Sequence, residues 1–217
     1  MTRLTAVRTK PFATADEARE WLRAIGDDLA RWEAEVGAAI AVANRALHAR
    51  ALAAADPAAV QLGRSSALRV RLGYGTGDEV ADGRWTEAIE VPPDRRRLRR
   101  VDALRPSERV AAILGARERP LTCETLILRS RADFDAGRDR EAAVELRGAI
   151  EGMLAELGAD APAEQRPDLE ALRERSANVS AIAGRALRSD PSDQERGELS
   201  EALAIGERVL RRRRILG

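Results

Sequence analysis

The chain has 217 residues, 44% of them hydrophobic and 34% charged, with 37 basic against 36 acidic side chains. That balance is too apolar for a disordered chain and too neutral for a general pull toward nucleic acid or an anionic membrane. A single cysteine, Cys123, and a single histidine, His48, exclude an internal disulfide and a cysteine-rich zinc site. They also weigh against zinc-hydrolase, di-iron and Ser-His-Asp chemistry.

The length suits one well-packed domain or two small ones. Aromatic residues are only 3% of the chain, and the abundance of Ala, Leu, Arg and Glu points to an all-α protein. Every basic residue but Lys10 is arginine, which reads as a GC-rich coding bias rather than as phosphate chemistry. No run of 18 apolar residues occurs, and the first twenty residues lack the apolar core of a secretory signal. A cytoplasmic location, with no membrane association, is the expectation.

The first element opens at "TADE", where Thr14 can cap a helix and Glu17 can reach back toward the cap. Apolar residues then follow in steps of four and three: Ala18, Leu22, Ile25, Leu29, Trp32, Val36, Ile40, Ala43 and Leu47. This is one continuous seam on a long helix. Beyond Gly37 the text "AAIAVANRALHARALAAA" is weakly apolar on nearly every side, so this half is expected to be surrounded by protein. If unbroken to Asp56, the helix would span about 60 Å at 1.5 Å per residue.

Asp56-Pro57 marks a stop and a restart. Over the next stretch two readings stand. Leu68, Val70, Leu72 and Tyr74 alternate at strand period, and Trp85, Ile89 and Val91 could return after an Asp82-Gly83 turn as a small β-hairpin near 68–91; a helix entering from Pro57 could also run through them. Residues 92–105, rich in proline and arginine, read as a linker between an N-terminal unit (1–91) and a C-terminal helical array (106–217). In that array, helices are expected near 106–116 and from Thr122 to Asp135, with Gly137 as a stop. A third should run from Asp139 to Gly158, a fourth through Leu169 to Leu187, and a last one after the Ser192–Glu195 capping box.

The segment "ADFDAGRDREAAVELRGAIE", about residues 132–151, resembles the second half of a tetratricopeptide repeat. Gly137, Ala142 and Ala149 stand where that family has its turn glycine and its small packing residues. The resemblance implies a helical hairpin array that binds a peptide or another protein. The glycine stretch and "DAGRDREAAVELR" are also similar to segments of uncharacterised proteins from high-GC bacteria, a likeness that implies no function.

Three groups of residues carry the functional candidates. In "RLGYGTGDEVADGRW" the glycines form neither a P-loop nor a dinucleotide fingerprint. Arg71, Tyr74, Gly75, Gly77 and Arg84 would nonetheless be the contacts if the loop held an anion. Leu22, Ile25, Leu29 and Trp32 would be interface residues if the N-terminal seam pairs with a partner or a second copy. Arg95, Arg96, Arg97, Arg99 and Arg100, together with Arg211, Arg212, Arg213 and Arg214, could neutralise phosphates, although no aromatics interleave with them. Cys123 and His48 read as packing residues, and no catalytic residue, metal ligand or cofactor is expected. The reading that uses most of the chain is a non-enzymatic helical interaction or scaffold protein whose partner is another protein or, in a homodimer, a second copy of itself; a nucleic-acid-associated protein and a small-ligand sensor or enzyme are the alternatives.

Overall fold

The computed structural model describes residues 3–58, 60–64, 67–90, 108–158 and 161–216, with side chains through Arg213. It is mostly helical, with one two-stranded antiparallel sheet among the described residues. The chain divides into two compact units, Met1–Arg97 and Leu98–Gly217. The expected linker at 92–105 lies outside the described residues.

In the first unit α1 (Ala15–Gly26) starts where Thr14 Oγ1 accepts from the Glu17 N–H at 3.1 Å, while Glu17 reaches one residue further back, to the Ala13 N–H at 2.7 Å. Its Ala18, Leu22 and Ile25 are buried, on the helix that packs against the sheet. The seam read as one helix then divides. Asp27 closes α1, and Asp28 opens α2 (Leu29–Ala54) by accepting from the N–H groups of Ala30 and Arg31 at 2.9 and 3.2 Å. A carboxylate bonded to two otherwise unpaired helix-start donors makes the restart more favourable than continuation. The unbroken long helix is therefore 26 residues, roughly 39 Å at 1.5 Å per residue.

Of the two readings for the glycine region, the strand reading holds. β1 (Arg71–Tyr74) pairs with β2 (Glu87–Glu90), Leu72 opposite Ile89 and Gly73 opposite Ala88. The link is longer than the two-residue turn that Asp82-Gly83 suggested: it holds a 3₁₀ turn at Gly77–Glu79 before Gly83, which takes φ +72°.

The second unit begins with a helical segment described over 108–114, here α3, followed by α4 (Thr122–Asp135), α5 (Asp139–Leu157), α6 (Arg166–Ala186) and α7 (Asp193–Leu216). From α4 onward successive helices pack on one another, and α7 returns to both α4 and α5. Gly137 makes the α4–α5 turn at φ +69°, and Ala142 and Ala149 are fully covered. Ile127, Leu146, Ile150, Met153, Leu172, Ile182, Leu199 and Leu203 fill one core. At Gly206 an added Cβ would stand 2.7 Å from Ile127 Cδ1, so α7 sits close to α4 because that position lacks a side chain. Ser192 and Glu195 form the expected capping box at the start of α7.

Candidate interaction surface

Within its own unit α2 is poorly covered. Only Val36, Ala43 and Asn44 are buried along its length, while Leu29, Val42 and Leu52 are 62%, 47% and 70% exposed. The expectation that the alanine-rich half is surrounded by protein is not met by the residues described. The helix ends at Ala55, a non-glycine residue in the left-handed region with φ +49°, and Asp56 then caps the turn after it by accepting from the Ala58 N–H at 2.9 Å.

From that turn the chain doubles back along α2, where Asn44 holds it. The Asn44 amide donates to the Leu62 carbonyl at 3.0 Å and accepts from the Leu62 N–H at 2.7 Å, which satisfies both backbone groups as a neighbouring strand would. Between the last turns of α2 and the returning chain lies a groove of about 570 Å³. Leu47, His48, Ala51, Leu52, Ala55, Asp56, Pro57, Val60 and Gln61 line it. Val60, 79% exposed, and Leu52 leave its rim apolar. No sequence signal announced this groove, because the Asn44–Leu62 bridge joins residues 18 apart with no periodic pattern between them.

The four residues offered as interface contacts separate. Leu22 and Ile25 are 2% exposed and belong to the core of their own unit, which corrects their reading as contacts for a partner. Leu29 is exposed, and Trp32 is half-buried with the Arg64 guanidinium 5.7 Å over its ring.

The glycine region is explained residue by residue. A Cβ on Gly73 would meet the Glu87 carbonyl oxygen at 2.6 Å and Ala88 Cβ at 2.7 Å; one on Gly75 would press on Val80, Arg84 and Thr86 at 3.0–3.2 Å; and Gly77 has φ +57°. Close strand approach and a left-handed turn account for all three. The proposed anion contacts face carboxylates instead. Arg71 lies 3.5 Å from Glu90, Arg84 lies 3.3 Å from Asp82, and the Tyr74 hydroxyl donates to Glu87 at 2.9 Å. That hydrogen bond to Glu87, with burial and the carboxylate charge, raises the Tyr74 pKa and keeps the phenol protonated. Arg71 and Tyr74, three residues apart on one strand, also project from opposite faces.

Cys123 is completely buried at the start of α4, and burial, followed by the hydrogen bond and charge of Glu156, pushes its pKa up to about 12. A thiol so held is a packing residue rather than a nucleophile. His48 stands on the groove wall. Of the C-terminal arginines, Arg211 is exposed and Arg213 half-buried. Arg212 joins Arg208 on Asp168, at 2.8 and 2.9 Å, and donates to the Glu164 carbonyl, so it ties α7 to the start of α6. The Arg214 side chain and Arg95, Arg96, Arg97, Arg99 and Arg100 lie outside the described residues.

Among the described residues no group of three or more His, Cys, Asp or Glu could hold a metal ion, and no helix is long and apolar enough to cross a membrane. Comparison with protein-family models, with curated proteins and with solved structures finds no match to this chain, so its functional reading rests on its own surfaces.

Proposed function

We propose that this chain is a non-enzymatic α-helical interaction protein of the cytoplasm that engages another protein, or a second copy of itself, through α2 of its first unit. One observation carries the reading. Weakly apolar on nearly every side beyond Gly37, α2 buries only Val36, Ala43 and Asn44 and leaves Val42 and Leu52 exposed, Leu52 on the groove that Val60 also lines. Covering one such side chain is worth about 1.5–3 kcal/mol, and a contiguous exposed apolar surface is the usual mark of an interaction site. The second unit, with its closed core and many crossing ion pairs, supplies a rigid scaffold.

Affinity capture of the tagged chain from its native lysate, with and without nuclease, tests this reading when run beside a Val42→Asp/Leu52→Asp variant. A stoichiometric protein that survives nuclease and is lost with the variant is the expected result. Material lost with nuclease and retained by the variant would overturn it in favour of the arginine runs. If nothing is captured, light scattering decides: a concentration-dependent dimer broken by the variant keeps the reading as self-association, and a monomer at high concentration ends it.

A further inference from the structure

We infer that the groove at the end of α2 receives an amphipathic helix that carries carboxylates on the flanks of its apolar face. This deepens the interaction reading above and rests on it. The groove is built rather than incidental, because Asn44 fixes the returning chain through both backbone groups of Leu62. Its floor and rim are apolar at Leu47, Ala51, Leu52, Pro57 and Val60. The stretch of α2 that forms it, Leu47 to Ala55, extends roughly 12 Å at 1.5 Å per residue. That length takes two successive anchors of a partner helix spaced three or four residues apart.

Charge names the partner's chemistry. At 100° per residue, Leu47, Ala51, His48 and Leu52 occupy one arc of α2. Arg50 stands beyond the Leu47 edge of that arc and Arg45 beyond the Leu52 edge. Both arginines are exposed, and among the described residues neither meets a carboxylate. From Gly37 to Ala55 the chain has no acidic residue at all. Asp56, the one carboxylate on the groove, is turned to its own cap at the Ala58 N–H. An apolar arc of α2 with an exposed cation beyond each edge fits an apolar helix face bordered by Glu or Asp. It disfavours a second α2, which would bring Arg45 and Arg50 against their own copies.

The probe is a pair of labelled 16-residue synthetic peptides with leucines at i, i+3, i+4 and i+7. The remaining positions are filled with Glu and Ala in one and with Lys and Ala in the other. Fluorescence anisotropy with the full chain should show the Glu peptide binding roughly tenfold more tightly than the Lys peptide at low salt, with the gap narrowing as salt rises. Leu52→Asp and Val60→Asp should each abolish binding with helical circular dichroism unchanged, and Arg45→Glu/Arg50→Glu should reverse the preference. Binding of the Glu peptide that ignores Leu52→Asp and Val60→Asp would place it on the arginine runs and overturn the assignment. Equal binding of the two peptides, or of neither, would also overturn it. A protein partner captured equally by wild type and these groove variants would remove the site while leaving the interaction reading intact.

Discussion

Two alanine-rich helices of this chain, α2 and α5, reach opposite ends. α5 lies between α4 and α6 and also meets α7, so Ala142, Ala143, Leu146, Ala149, Ile150, Met153 and Leu157 all disappear from solvent. α2 is seven residues longer and at least as apolar, yet buries three residues. Alanine permits close packing without requiring it, and what separates the two helices is the number of neighbours brought to them. Short connections fold α4, α6 and α7 around α5. After α2 the chain instead supplies one returning segment, which Asn44 holds by two hydrogen bonds.

The sharpest way to break this contrast is to truncate one leucine in each helix. Leu146→Ala, at a site 1% exposed, should cost about 2–5 kcal/mol. Leu52→Ala, at a site 70% exposed, should stay within about 0.5 kcal/mol. Urea denaturation followed by circular dichroism reads the helices of both units, whereas Trp21, Trp32 and Trp85 all fall in the first unit, so their fluorescence reads that unit alone. A cost for Leu52→Ala as large as that for Leu146→Ala would mean that α2 is already covered in solution.

A smaller effect isolates the pin. Asn44→Ala leaves the N–H and C=O of Leu62 without their partner, a loss of about 0.5–1.5 kcal/mol for each of these part-buried hydrogen bonds. Hydrogen exchange should accelerate at the Leu62 amide while the amides of α5 keep their protection. Unchanged exchange at Leu62 would show that the returning segment, and with it the groove, is held by something other than Asn44.

The two regions were also unequally legible. Within the second unit α4, α5 and α7 could be read nearly to the residue, because each carries its own stop or cap: Gly137, Gly158 and the Ser192–Glu195 box. Their stripes also keep one period from end to end. In the first unit the steps of four and three ran straight across Gly26, Asp27 and Asp28 and masked a stop and a cap lying side by side. Apolar spacing cannot tell one helix from two whose stripes happen to stay in phase. The glycine cluster reads first as a turn and second as a ligand loop, and the requirement that Gly73 meets is set by Glu87 and Ala88 on the opposite strand. The groove depends on contacts between residues far apart in sequence, and it was not legible at all.

A last comparison concerns how the N-termini of α2 and α4 are capped. α2 uses its own neighbour, Asp28, whereas α4 borrows a side chain from α5: Glu156 accepts from the N–H groups of Thr122 and Cys123, both at 3.0 Å, across more than thirty residues of sequence. Partial burial works against the Glu156 charge, but the two backbone donors outweigh it and hold its carboxyl below the ordinary value of 4.5. A carboxyl whose folded pKa is depressed contributes stability that is fully present above its unfolded pKa and is lost as pH falls through the folded value. Glu156→Gln keeps the shape and one acceptor but gives up the charge at the positive end of the helix, a loss of about 1 kcal/mol at neutral pH. Measured from pH 7 downward, the difference between the two proteins should hold until about 4.5, the ordinary carboxyl value, and then shrink, since a protonated glutamate caps no better than a glutamine. A difference that persists undiminished below pH 3 would assign the effect to packing at the α4–α5 contact, and the closed bundle would then owe nothing there to charge.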